Sequence, residues 1–309
     1  MRKSNPCCFH PTPREIVFFQ EKNQTIYHNP PRMITINWHI TERCNYRCVF
    51  CFSKYSASIE LCRDLPSATR LLEEIYSYFS RSFENIKLTF TGGEPFLIPE
   101  LGELLKISKE IGYVTSVITN ASLVTRKWLE KYGDYIDWFG VSLDSAKEEV
   151  EKMLGRGYGQ HVRKVYEVVR ILREIVSRVK IKINTVVTKL NYTEDMSHII
   201  IKLSPHRWKV FQVVIMKDAP EEAKFLAITE EEFMEFVRRH KFLNPVAETC
   251  DDSRESYLMI DPMGRFYYRD KNATHRFSDL ILSVGVKKAL SQVKFNYEKF
   301  LRRGGAYIL

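Results

Sequence analysis

Cys44, Cys48 and Cys51 concentrate the chemistry of this chain, in the run Thr41-Glu42-Arg43-Cys44-Asn45-Tyr46-Arg47-Cys48-Val49-Phe50-Cys51-Phe52. Three thiolates separated by three and then two residues can converge on one iron cluster from a single loop. A fourth iron would then lack a protein ligand, and an open coordination position lets a metal site bind and activate a substrate. A structural zinc site wants four protein ligands, yet Cys7, Cys8, Cys62 and Cys250 form no second close CxxC pair. Disulfides are disfavoured too, because Met1-Arg2-Lys3-Ser4-Asn5-Pro6 opens no apolar signal core and no stretch approaches the ~20 apolar residues of a membrane span. The expectation is a cytoplasmic protein, off the membrane, whose cysteine loop is a reaction centre.

The elements that must position this loop follow from periodicity. A length of 309 residues allows one large α/β domain or two smaller ones. Apolar, β-branched segments predict strands over 33–40, 86–90, 115–119, 138–143, 180–187 and 208–215, and apolar residues at helical spacing predict helices over 66–79, 100–111, 124–132, 161–178 and 194–203. Strand–helix alternation argues a parallel sheet wrapped by helices, and six units make an α/β, partial (βα)6 TIM-like barrel. Chemistry belongs at the C-terminal ends of its strands, which is where the cysteine loop falls. A segment 1–30 precedes the barrel of 31–228. The remainder, 229–309, reads as a C-terminal extension that covers the barrel mouth and contributes to the substrate site, with a helix over 230–240 and a hairpin of 257–260 and 265–268 about Asp261-Pro262-Met263-Gly264. Such a cover would keep water from a reactive intermediate.

Two further patterns bear on ligands. The second strand ends in Thr89-Phe90-Thr91-Gly92-Gly93-Glu94-Pro95, where paired glycines admit close backbone approach and the carboxylate can hold an ammonium group. Lys182 and Asn184 alternate with Ile181 and Ile183 on the fifth strand, and Arg207 and Lys209 with Trp208 and Val210 on the sixth. In a barrel wrapped by helices both strand faces are buried, so the polar set points inward. Buried lone cations are unfavourable without an anion, and several facing one cavity read as a phosphate clamp, Arg giving bidentate contacts and Lys point charges. Against this stands the plainer reading that these side chains lie at strand ends and snorkel to solvent. The net charge of +9 suits a polyanionic partner without specifying one.

The CxxxCxxC spacing, with Phe50 before the last cysteine, resembles the cluster loop of radical S-adenosylmethionine enzymes. Further runs narrow the resemblance to their viperin-like members: Asn37-Trp38-His39-Ile40-Thr41-Glu42-Arg43-Cys44, Gly92-Gly93-Glu94-Pro95-Phe96-Leu97, Ser142-Leu143-Asp144-Ser145, Gly155-Arg156-Gly157, Lys182-Ile183-Asn184, Arg207-Trp208-Lys209-Val210-Phe211-Gln212, Ser256-Tyr257-Leu258 and Arg303-Gly304-Gly305-Ala306-Tyr307-Ile308. The resemblance implies a [4Fe-4S] cluster on Cys44, Cys48 and Cys51, and S-adenosylmethionine held by Phe50, Gly92, Gly93, Glu94, Asn120, Ser142 and Arg156. Within that set, Gly92, Gly93 and Glu94 would meet the methionine amine, and Asn120, Ser142 and Arg156 the ribose and carboxylate. It implies dehydration of a nucleoside triphosphate, typically CTP, to its 3′-deoxy-3′,4′-didehydro form, an antiviral chain terminator, after a 5′-deoxyadenosyl radical takes the 4′ hydrogen. Triphosphate and ribose contacts would be Asn37, Lys87, Thr91, Lys182, Asn184, Arg207 and Lys209, with Thr91 where the family commonly has Ser. Tyr257 would deliver the proton or hydrogen atom; without the resemblance it is an ordinary amphipathic tyrosine. A one-electron reductant such as flavodoxin or ferredoxin is implied as a partner, and a monomer is expected.

Two departures qualify this. Glu248-Thr249-Cys250 stands where CTP-using members usually carry Glu-Ser-Asn, in a loop expected near the nucleobase. Telling an amino donor from a carbonyl acceptor is an amide's task, so UTP and GTP stay open beside CTP. The chain also shows neither the amphipathic N-terminal helix nor the Trp-ended tail of animal members, which predicts a soluble microbial or shortened form. A radical enzyme acting on a peptide or cofactor precursor would share the cysteine loop and Gly-Gly-Glu, but many such enzymes carry further C-terminal cysteines, and only Cys250 lies beyond residue 62. No RNP-like aromatic run or zinc-finger spacing supports nucleic acid as a partner.

Overall fold

The structure, a computed structural model, describes residues 33–53 and 57–307. The predicted segment 1–30, with Cys7 and Cys8, lies outside the described residues. The strand β1 (Met33–Thr41) is buried along its whole length. Its Ile34, Ile36, Trp38 and Ile40 enter the main apolar core, while the alternate Thr35, Asn37 and His39 are buried on the other face. Both faces of a strand in a helix-wrapped parallel sheet are covered, which is why no position here is exposed.

After β1 come β2 (Asn85–Gly92), β3 (Val114–Thr119), β4 (Trp138–Ser142), β5 (Lys180–Val187) and β6 (Arg207–Gln212), each parallel to the strand before it. The helices Leu65–Phe79, Leu101–Ile111, Arg126–Tyr132, His161–Ile175 and Ser197–Leu203 connect them. Their apolar stripes, such as Leu71, Leu72, Ile75 and Phe79, pack on the outward face of the sheet. Boundaries shift from the sequence prediction for identifiable reasons. Thr125 caps the third helix by accepting the Trp128 N–H at 3.2 Å, so that helix starts at Arg126 rather than at 124. β6 stops at Gln212 rather than 215 because its neighbour turns away: the Thr188 N–H is taken by Asn191 Oδ1 at 2.6 Å, and the ladder ends where Val213 N–H meets the Val187 carbonyl.

The C-terminal part adds strands at both edges of this sheet. The helix Glu230–Arg239 opens on a capping box of Thr229 and Glu232, and then β7 (Val246–Glu248) pairs in parallel with β6. β8 (Leu258–Ile260) pairs in parallel with β1, and β9 (Arg265–Arg269) and β10 (His275–Leu280) continue antiparallel. The resulting order is β10-β9-β8-β1-β2-β3-β4-β5-β6-β7. After the helix Tyr297–Arg302 the chain crosses back beneath the barrel, where the Gly305 carbonyl accepts from Thr35 Oγ1 at 2.9 Å. Among the described residues no helix is long and apolar enough to cross a membrane.

Candidate active site

The cysteine loop leaves the C-terminal end of β1 and is sewn down on two sides by backbone hydrogen bonds. On one side Gly93 N–H donates to Thr41 O (2.7 Å) and Glu94 N–H to Arg43 O (2.8 Å). This approach leaves no room for side chains: a Cβ on Gly93 would lie 2.0 Å from the Arg43 carbonyl oxygen, and Gly92 takes φ +135°. On the other side Arg47 N–H donates to Gly155 O (3.2 Å) and Val49 N–H to Leu154 O (3.0 Å). Phe50 is buried against Leu154, Val213 and Leu226, with the Arg156 guanidinium 5.7 Å from its ring centre. Gly93→Ala should therefore destabilise the fold by about 1–3 kcal/mol and sharply reduce iron incorporation. A thermal melt and an iron assay check this; a variant that melts and loads iron like the parent would show that the loop yields instead.

Cys44, Cys48 and Cys51 are free thiols, two half-buried and Cys51 exposed, and close enough to act on one another electrostatically. Burial raises the Cys44 thiol and pushes Cys48 up to about 12, so a bound metal would be needed to hold them as thiolates. Among the described residues no three His, Cys, Asp or Glu side chains gather tightly enough for a single ion. A multi-iron cluster spreads its ligands over several metal atoms, and three free thiols on one anchored loop fit it.

Glu94, fully buried, accepts from Thr119 Oγ1 (2.6 Å), Asn120 N–H (2.8 Å) and Phe96 N–H (3.1 Å), and burial raises its carboxyl to about 7 despite these donors. Asn120, just after β3, reaches Asn45 Oδ1 at 2.9 Å and Cys44 Sγ at 3.8 Å, joining this carboxylate to the cysteine loop. Arg156 is buried, its Nε held by Asp144 at 2.6 Å with Glu151 at 3.8 Å. Ser142 ends β4, its carbonyl 2.8 Å from His161 Nε2. Cys44 senses the charges of both Glu94 and Arg156, which places a carboxylate and a guanidinium beside the thiols.

Deeper in the barrel lies a second group. Lys87, Lys182, Lys209 and Arg303 are buried and Arg207 half-buried. Burial lowers Lys87 to about 8 and Lys182 and Lys209 to about 7. Glu248 pairs with Lys209 at 2.5 Å and stands 3.7 Å from Arg303. Among the described residues Lys87, Lys182 and Arg207 have no ion pair; Lys87 donates to Thr89 Oγ1 at 2.9 Å, and Arg207 to the Gly304 carbonyl. Among the described residues the buried atoms Asn37 Nδ2, Asn184 Oδ1 and Arg207 Nε lack a hydrogen-bond partner, as does Trp138 Nε1 at the start of β4. Thr91 is half-buried near the end of β2. Tyr257 gives its hydroxyl to both Glu248 oxygens at 2.8 Å, stands 3.3 Å from Lys209 Nζ, and carries the Arg303 guanidinium 3.5 Å from its ring centre. Burial and the Glu248 carboxylate raise this phenol well above the ordinary tyrosine range.

Sequence reasoning placed Glu248 in a loop expected near the nucleobase and gave no role to Arg303, Tyr307 or the Asp144–Glu151 pair. Arg303 and Tyr307 do stand in the quoted Arg-Gly-Gly run, the one signal that could have pointed to them. Glu248 faces the cations, while Thr249 caps the short helix Cys250–Ser253 and the half-buried Cys250 sets its Sγ 3.2 Å from Val213 O.

Residues 38–200 match the Radical SAM superfamily. The chain is 37% identical over 282 residues to an S-adenosylmethionine-dependent nucleotide dehydratase of Flammeovirga pacifica, covering 88% of this chain and 95% of the relative. It is 36% identical over 292 residues to the S-adenosylmethionine-dependent nucleotide dehydratase RSAD2 of Siniperca chuatsi, covering 89% and 78%. The structure of Streptococcus suis SuiB bound to S-adenosylmethionine shares the fold, with a TM-score of 0.60 at 16% identity over 87% of this chain and 67% of that one. The chain belongs to the radical SAM superfamily and, within it, to the viperin-like S-adenosylmethionine-dependent nucleotide dehydratases, enzymes that use a [4Fe-4S] cluster and S-adenosylmethionine.

Proposed function

We propose that this enzyme dehydrates a nucleoside triphosphate, with CTP the first expectation and UTP or GTP the alternatives, to its 3′-deoxy-3′,4′-didehydro form. The observation that carries the reading is the cluster of five buried or half-buried cations with one paired carboxylate, Glu248, among them. Leaving Lys87, Lys182 and Arg207 without an anion is unfavourable in a low-dielectric interior, and a triphosphate would meet all of them. Cys44, Cys48 and Cys51 would hold the cluster, and Glu94, Asn120 and Arg156 would face S-adenosylmethionine. When bound, that pair supplies the 5′-deoxyadenosyl radical that takes the 4′ hydrogen.

The chain's own residues do the rest. The chamber anchors the triphosphate, and the partnerless Asn37 and Asn184 amides offer a donor and an acceptor toward phosphate or ribose. Tyr257, kept protonated by its surroundings, gives a proton to the 3′ hydroxyl as it leaves as water, and Lys209, in hydrogen-bond reach, can return one. Balance also requires one electron, from a donor protein of the flavodoxin or ferredoxin kind. A role in antiviral defence would follow from the product as a chain terminator.

The test is anaerobic. The reconstituted, reduced enzyme receives S-adenosylmethionine with CTP, UTP, GTP or ATP, and 5′-deoxyadenosine and nucleotide mass are followed. One nucleotide is expected to lose water as deoxyadenosine accumulates. Cleavage that no nucleotide promotes, or promotion by a peptide instead, would refute the reading.

A further inference from the structure

Tyr307 sits where the C-terminal strap crosses the barrel, at the end opposite the cysteine loop. Its ring centre lies 4.3 Å from Lys87 Nζ, 4.4 Å from the Arg207 guanidinium carbon, 5.8 Å from Lys182 Nζ and 4.8 Å from the ring of Trp138. Trp138 and Arg207 are the first residues of β4 and β6, so the ring forms a floor beneath the cations. The strap holding it is tied in three places: Arg207 donates to Gly304 O, Thr35 Oγ1 to Gly305 O at 2.9 Å, and Arg303 to Ser256 O at 2.7 Å. Of the five buried or half-buried cations, these three have no ion pair among the described residues. A phenol face is their common neighbour, and cation–π attraction alone leaves most of their charge uncompensated.

We propose that Tyr307 is a specificity-determining residue that measures the polyphosphate, gathering Lys87, Lys182 and Arg207 on its ring so that only a chain of three phosphates spans from the reactive end of the barrel to the floor. This rests on the nucleotide reading above. A diphosphate anchored at the floor would draw the ribose away from the cysteine-loop end of the strands. One held with its ribose in place would leave the three floor cations unmet. The ring, not its hydroxyl, supplies the face, and removing it lets the cations spread and the floor deepen.

The experiment compares dissociation constants of CTP with CDP, UTP with UDP and GTP with GDP on the reconstituted full chain with S-adenosylmethionine, for the parent, Tyr307→Phe and Tyr307→Leu. Tyr307→Met replaces the leucine variant if the latter does not fold. The parent should prefer the triphosphate strongly and Tyr307→Phe should keep that ratio. The non-aromatic variant should lose roughly tenfold of it, the scale of a desolvated cation–π set. If the parent binds triphosphates but the non-aromatic variant keeps the parental ratio, or the phenylalanine variant loses it, the measuring role is refuted while the nucleotide reading survives. If the parent binds neither length, both fall.

Discussion

Tyr257→Phe is expected to lower nucleotide dehydration at least about a hundredfold, the usual scale for a positioned proton donor, while 5′-deoxyadenosine still forms. The ring that carries Arg303 at 3.5 Å survives the change, so the chamber keeps its packing and the loss isolates the hydroxyl. That hydroxyl is fixed by three contacts, two to Glu248 and one to Lys209. A phenol raised well above its ordinary range keeps its proton at working pH and gives it up only to a strongly basic oxygen, such as a departing hydroxide. Hydrogen abstraction without elimination should then uncouple the two products, so the ratio of deoxyadenosine to dehydrated nucleotide rises. An unchanged ratio with an unchanged rate would return Tyr257 to the role of a buried amphipathic side chain. Glu248→Gln separates position from proton supply: the amide still accepts from the phenol but no longer pairs with Lys209, so triphosphate affinity should change along with turnover.

Local patterns made much of this legible. The cysteine loop could be read because its three ligands lie within eight residues, and the Lys182/Asn184 and Arg207/Lys209 alternation because a strand's period of two assigns its faces. The five parallel strand pairs from β1 to β6 followed from strand–helix alternation for the same reason. What stayed hidden depends on distant contacts. Glu248 enters the chamber on a three-residue strand too short to show any period, and Arg303 and Tyr307 arrive on a strap whose course is set by carbonyls meeting Arg207 and Thr35. Gly92 and Gly93 were read as ligand-facing. Beside that expectation, the structure shows how tightly the Gly-Gly-Glu turn packs on Thr41 and Arg43, leaving no room for Cβ atoms, which no single-sequence pattern reveals.

The buried lysines give the chamber a pH signature with two opposite signs. Lys182 and Lys209 fall to about 7 and Lys87 to about 8 in the folded chain, each below the ordinary lysine value of 10.5. Between these values the unfolded chain binds more protons than the folded one, so ligand-free stability should rise with pH from about 7 to about 9, by up to about 1.4 kcal/mol per pH unit for each lysine titrating. Triphosphate binding reverses this. An anion favours the ammonium form, so binding takes up protons in the same window and affinity should fall as pH rises through it. Lys182→Met removes one charge with little loss of volume. It should stabilise the ligand-free protein at pH 7, flatten both slopes, and weaken triphosphate binding by about a hundredfold, as losing one side of a buried charge pair does. Thermal melts with and without CTP, from about pH 6.5 to pH 9, read all three effects together. A less stable Lys182→Met protein with parental pH slopes would mean that Lys182 is solvated and carries an ordinary ammonium in the free chain, and the case for an anion waiting to be met at the barrel floor would lose its main support.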